Sequence, residues 1–341
     1  MPRPLLIAGL LILCGLGAEL LTAYSETTGD IGGIAFSLVF FAGLYGAPAL
    51  LARDLARRLG WRWPSLLLLF AALGTAQACL IDQSLFSEDY QGYEGWEATR
   101  QATLIPGVGF SAVNAYNFIT GHVIFSFGAP VAVTEAWSPA RARTPWLGPI
   151  GTVIAALAYL GTAVVILSDP ESRSADGPQL IGSALVLSAF VLAAVLIGRR
   201  RVNGSATRSA GDGRRVPLWA TLLITLAVAL LTGMQDENWT GLAVGLGALM
   251  IFAVGLALIS ARSEWTIRHC AAVGLGFLLS RGVLAFTYFP LAGDVAPIPK
   301  YSHNVAMLII VLIAGWLALR PPRLPASADP TSPGQRPRLR G

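Results

Sequence analysis

The stretch WLGPIGTVIAALAYLGTAVVILS, residues 146–168, contains no charged side chain from end to end. A helix rises about 1.5 Å per residue, so roughly 20 such residues cross the hydrocarbon core of a bilayer. Nine further blocks of similar character lie at 4–24, 31–52, 64–82, 117–137, 178–198, 217–235, 240–260, 267–289 and 303–320. Inside lipid each span must satisfy its own backbone hydrogen bonds, which leaves helices or closed barrels. Barrel strands alternate in polarity, and Leu66-Leu67-Leu68-Leu69-Phe70 does not. The expectation is an all-α polytopic membrane protein of ten transmembrane helices.

Composition agrees. Of 341 residues, 54% are hydrophobic and 13% charged, about half the charge of a typical soluble domain. The net charge of +5 does not point to nucleic acid, because the basic residues alternate between loops instead of forming a patch. Arg53, Arg57, Arg58 and Arg62 precede the third helix, Arg141 and Arg143 the fifth, Arg199, Arg200 and Arg201 the seventh, and Arg262 and Arg268 the ninth. The intervening loops hold only Arg100, Arg173 and Lys300, and collect acids such as Asp82, Glu88, Glu97, Asp176 and Asp236. The positive-inside rule then places both termini in the cytoplasm. Lysine occurs once, at Lys300, in a chain rich in Ala, Gly and Leu, a composition that suggests a bacterial inner membrane. Leu13 before Cys14 does not suit a lipid-attachment site, and the first apolar block continues past it, so a retained first helix is expected.

The chain divides into a first membrane part at 1–198 with six helices, a cytoplasmic Arg/Gly/Ser linker at 199–216, a second membrane part at 217–320 with four helices, and a tail at 321–341 whose composition predicts disorder. Two halves of five helices each would have the form of an inverted repeat, but helices 4–24 and 178–198 share no aligned signature. The longest outer loop, 83–116, carries Tyr90, Tyr93 and Trp96 and then a Gly-rich apolar run; it reads either as a lid or re-entrant piece or as a loop resting on headgroups. Cys14, Cys79 and Cys270 share no metal-site spacing. No motif implies a metal or another cofactor, and oligomeric state is not encoded in any visible pattern.

Ionisable groups inside a bilayer cost several kcal/mol and need a reason. The candidates are Glu19, Gln77, Asp82, His122, Ser126, Arg281, His303 and Asn304, all at outer or central depth. Asp82, His303 and Asn304 read as interfacial, and Gln77 as helix-packing glue. Glu135 and His269 read as wet residues near the inner boundary. Arg281 keeps its proton at any accessible pH, so Glu19 is its expected partner, with His122 as the nearby functional group.

Phe118-Ile-Thr-Gly-His122 resembles the F-x-x-x-H pattern of bacterial CAAX-protease-like membrane proteins. That resemblance implies catalytic glutamates one helix earlier, where this chain reads Ala76-Gln77-Ala78-Cys79-Leu80-Ile81-Asp82, and a later H-x-x-x-N that is absent. The acidic first outer loop, Ser25 to Asp30, is similar in kind to that of glycosyltransferases using lipid-phosphate sugars, but those place their catalytic acid in a much longer loop. The reading that remains is a secondary carrier or permease with a polar site in the outer half of the bundle, partnered by the lipid bilayer and a small-molecule or lipid substrate. The alternatives are an outer-leaflet enzyme and an accessory membrane subunit.

Overall fold

The computed structural model describes residues 1–24, 27–90, 92–93, 95–203, 215–289 and 295–321. Membrane-length helices are α1 (Arg3–Leu20), α2 (Ile31–Arg58) and α3 (Trp63–Ile81). A short surface helix, α4 (Trp96–Ala102), and a hairpin of β1 (Leu104–Ile105) and β2 (Phe110–Ser111) follow in the long loop. Then come α5 (Ala112–Ala136), α6 (Pro149–Ser168), α7 (Gly177–Arg200), α8 (Leu218–Gly233), α9 (Trp239–Arg262), α10 (Ile267–Leu284) and α11 (Pro297–Leu319). All ten expected spans are helical. Among the described residues nine are long and apolar enough to cross a bilayer; α8, at 16 residues, is shorter.

Loop contacts sort the connections into two sets. At one end Arg58 donates to the Leu147 carbonyl, Arg268 to the Leu319 carbonyl, and His269 bonds the Val216 carbonyl. At the other, Gln83 accepts from the Ala175 amide, and Thr99 bonds Glu237. These contacts sort the connections they touch into two groups, and the short α8 runs from one group to the other. The first set is called the arginine end below, and the second the loop end.

Burial sets the arrangement of helices. In α1, α3, α5 and α10 half or more of the most apolar window is buried, against 6% to 11% in α6, α7 and α9. The former make the centre and the latter offer side chains such as Ile154, Leu185 and Ile251 outward, as lipid-facing helices do. One buried cluster joins α1, α2, α3 and α5 through Leu10, Tyr45, Phe70 and Phe127. A second joins α1, α5, α10 and α11 through Leu16, Val133, Leu278 and Val311. Where α1 crosses α5, a methyl group on Gly17 would collide with the Phe125 carbonyl, so only glycine allows that approach.

Several boundaries differ from the sequence reading. Helix α2 runs to Arg58, which puts Arg53, Asp54 and Arg57 on a helix and not in a loop. Helix α5 begins at 112 and not 117, because Ser111 caps it by accepting from the Asn114 amide at 3.3 Å. Helix α11 begins at 297 and not 303; Pro297 and Pro299 sit in the first turn, where a missing N–H costs nothing. Helix α1 ends near 20 and α10 near 284. The tail from 322 and residues 204–214 of the linker lie outside the described residues.

Candidate functional site

Four helices carry π-helical turns: Leu16–Leu20 in α1, Ala42–Gly46 in α2, Gln77–Ile81 in α3 and His122–Gly128 in α5. Two have a visible cause. Pro48 and Pro130 lack an N–H, so the carbonyls of Leu44 and Ser126, four residues earlier, lose their donors and the turn widens. The other two lie in the last turn of their spans. Each π turn holds a polar side chain, and in α1, α2 and α5 these side chains meet.

Glu19 Oε1 accepts from the Tyr45 hydroxyl at 2.7 Å. The Tyr45 ring stacks on the His122 imidazole, with centroids 5.5 Å apart. His122 Nδ1 is 3.0 Å from Ser126 Oγ, and the Phe127 ring lies 6.2 Å from the imidazole and 6.5 Å from Tyr45, so the three rings form one cluster. Gly74 on α3 makes this fit possible, since a Cβ there would lie 3.2 Å from that of His122.

Arg281 on α10 reaches the same cluster. It donates to the Ala18 carbonyl at 2.7 Å and lies 4.9 Å from the centre of the Phe125 ring, while its buried Nε has no hydrogen-bond partner. The guanidinium is thus bonded to the residue before Glu19, the partner expected for it from the sequence. Tyr24 lies within electrostatic reach of both and is partly buried. Burial raises the pKa of its hydroxyl, the Glu19 charge raises it further, and the Arg281 charge opposes both.

Asp82 sits at the end of α3, bonded to Ser84 and Tyr90. Burial lifts its pKa to about 6 against those two hydrogen bonds, and the nearby Glu19 charge adds to the rise. Tyr90 belongs to an aromatic group over the site: its ring is 5.4 Å from Tyr93 and 5.1 Å from Trp96, and Trp96 stacks on Phe118 of α5 at 6.1 Å. Arg100 on α4 holds this loop together through Glu88 at 3.2 Å and Glu97 at 3.3 Å.

The remaining sequence candidates stand apart. Gln77 is buried in the π turn of α3, where its carbonyl accepts from the Asp82 amide at 3.0 Å. His303 and Asn304 are not interfacial, as the sequence suggested; both are buried in α11. His303 Nε2 donates to the Leu20 carbonyl at 2.8 Å, and Asn304 donates to the Ala285 carbonyl at 2.9 Å. They fasten α11 to the ends of α1 and α10.

The larger correction lies at the arginine end. Glu135 is not wet: it and Arg53 are 0% exposed. Arg53 donates to Glu135 at 2.9 Å, to Asp54 at 2.8 Å, and to the carbonyls of Thr144, Arg141 and Ala142 at 2.9, 3.2 and 2.9 Å. Every guanidinium N–H is used, and Trp146 covers the plane at 3.6 Å. Arg57 grips both Glu135 oxygens at 2.8 Å. Asp54 also accepts from the amides of Trp146 and Leu147. Two cations and two anions leave no net charge, so the group can be buried without an orphan. His269 is buried as well: it caps α10 through Thr266 and stacks on Trp265 at 4.9 Å. Charge near a predicted boundary reads as solvated, which is why sequence reasoning missed this network; the Arg53-Asp54-x-x-Arg57 spacing on one helix was the available signal. Among the described residues no three His, Cys, Asp or Glu converge as a metal site.

A family model described as an uncharacterized membrane protein family matches residues 10–321. The chain belongs to that family. The match covers the residues of both the polar cluster and the arginine network. No curated protein and no solved structure is significantly similar to the chain.

Proposed function

We propose that this multi-pass membrane protein is a secondary carrier whose binding site is the Glu19–Tyr45–His122–Ser126 cluster, with Asp82 and Arg281 at its edge. In this reading the loop end faces outside a bacterial inner membrane, the arginine end faces the cytoplasm, and both termini are cytoplasmic, as the arginine distribution indicates. The Tyr90–Trp96 group is the outer cover and the Arg53–Glu135–Arg57 network the inner closure.

One observation carries the proposal: α2 and α5 each hold both a site residue and a closure residue. Tyr45 and Arg53 share α2, while His122 and Glu135 share α5. Between site and closure each helix has a proline-weakened turn, at Pro48 and Pro130. A ligand that pulls on Tyr45 and His122 therefore loads the joint that holds the inner end shut. Discontinuous helices around a central site are the usual construction of carriers. The substrate is a small polar molecule able to meet a carboxyl group and an imidazole, and Asp82, whose pKa burial lifts to about 6, takes up a coupling proton in this reading.

The His122–Ser126 pair also suits a base and nucleophile, which is the outer-leaflet enzyme reading. Ser126, however, lies one turn deeper than His122 and is buried, away from the side a substrate would enter. The two readings separate by access. With the native cysteines replaced, Ser126→Cys is treated with a small impermeant thiol reagent in intact cells and in inverted vesicles. A carrier gives labelling from both sides, with inner labelling enhanced by Arg57→Gln. Labelling from the loop end alone, even in the Arg57→Gln background, removes the carrier reading.

A further inference from the structure

A cavity at the loop end is separate from the Glu19–His122 cluster. It holds about 540 Å³ between α3, α7 and the β1–β2 hairpin, a size typical of small-molecule sites. Its back wall is Thr75, Cys79 and Ile119; its open side is Gly182 and Val186 of α7. Both of the latter are exposed on a helix whose surroundings are lipid, so the cavity opens sideways into the bilayer.

What fills it follows from its lining, which is mainly apolar. The polar groups present are already engaged. Thr75 donates to the Ala71 carbonyl at 2.9 Å and Ser183 to the Gln179 carbonyl at 2.8 Å, while Cys79 pairs with Ser183. With both hydroxyl protons spent, only a few acceptor lone pairs remain on a wall that is otherwise apolar, short of the two to four partners a settled water needs. Polar groups collect at the mouth instead. Asp176 and Gln179 bond each other reciprocally, and the Gln179 amide donates to the Val108 carbonyl at 2.9 Å, which pins the hairpin over the top. Gly107 and Gly109 in that hairpin take left-handed backbone angles, φ 82° and 80°, and so bend it across the opening. From Gln179 to Val186 the helix descends about 10 Å at 1.5 Å per residue. The space is thus polar at the level of headgroups and hydrocarbon-lined below.

We propose that this cavity is a binding site for one acyl chain of a bilayer phospholipid, inserted sideways between α3 and α7 with its headgroup at the Asp176–Gln179 rim. Its back wall is shared with the candidate transport site. Thr75 and Ile119 adjoin Gly74 and His122 at the α3–α5 contact, so the chain braces the helix pair that positions the imidazole.

The test uses a phospholipid with a diazirine at the end of one acyl chain, in proteoliposomes of the full chain, with cross-linked peptides mapped after illumination. Cys79 and Thr75 are almost wholly buried, so bulk lipid does not reach them. Labelling of the 75–79 peptide is expected, and Gly182→Phe should reduce it at least about tenfold while labelling at lipid-facing Leu157 stays unchanged. A side chain at Gly182 meets nothing within 4 Å, so the variant should fold; Val186→Trp is the second block, and Ala184→Trp, outside the cavity, is the control. Labelling confined to lipid-facing residues overturns the proposal. So does back-wall labelling that survives both blocking variants, or that occurs with a free diazirine fatty acid but not with the phospholipid.

Discussion

Replacing Glu135 by glutamine should be among the most damaging single changes of near-constant volume in this chain. The wild-type group of Arg53, Arg57, Asp54 and Glu135 is neutral and fully hydrogen-bonded. Removing the Glu135 charge leaves one excess cation between α2 and α5, with two guanidinium groups competing for Asp54 and an amide. Breaking a buried pair on one side costs about 3–5 kcal/mol. At about 2–4 °C per kcal/mol for a chain of this order of size, that is a fall of roughly 6–20 °C in thermal midpoint. Arg53→Met alone leaves one excess anion and empties the acceptors at Thr144 and Ala142, with a cost of similar size. The double variant is neutral again, because Asp54 and Arg57 balance. Its loss should therefore be smaller than the sum of the single losses by at least about 1 kcal/mol. The assay is thermal unfolding in one detergent, followed by a fluorescence or aggregation readout for all four proteins. A Glu135→Gln midpoint within a degree or so of wild type, or strict additivity in the double variant, would refute the reasoning.

Four further outcomes follow from the site and the proposed topology. Asp82 has a folded pKa near 6, above its ordinary value, so the folded state holds the extra proton between about pH 4 and 6; stability should fall as pH rises through that window by about 1–3 kcal/mol, and Asp82→Asn should flatten the profile. Tyr45→Phe removes the hydroxyl donor to Glu19 and should cost about 1.5–3 kcal/mol, whereas Glu19→Gln combined with Arg281→Met should recover part of the loss of Glu19→Gln alone, a cycle whose additivity would show that the two charges do not meet. Single cysteines at exposed Asp89 and Ala140 report the two ends: the impermeant reagent should label Asp89→Cys on intact cells and leave Ala140→Cys untouched, and the reverse result inverts the proposed topology.

Much of the fold was legible because length and apolarity act independently of tertiary context. A 23-residue uncharged run such as 146–168 has few alternatives in water or lipid. The arginine alternation also agrees with the two sets of loops that pack at opposite ends. Helix ends were less legible, since Ser111 as a cap and Pro297 in a first turn act through local geometry that hydropathy averages away. The site was visible in part. Glu19, His122 and Arg281 stand out as charges in apolar blocks, and α1, α5 and α10 bring them together. Tyr45 did not stand out, because a tyrosine among glycines and alanines carries no charge to flag it. Its role depends on a π turn caused by Pro48, a proline that otherwise reads as a tolerated kink. His303 and Asn304 were placed at a membrane surface because their helix was begun six residues too late. The arginine network was hidden for the opposite reason: its charges cancel only when α2 and α5 are side by side.

The claim that the inner closure opens is most directly tested by a distance measurement between spin labels at Leu59 and Ala140, the exposed arginine-end positions beyond α2 and α5. A carrier predicts two distance populations in lipid, with the longer one growing when Arg57→Gln loosens the grip on Glu135. A single distribution, unchanged by that substitution, would contradict it and leave the polar cluster as a site open to one side only.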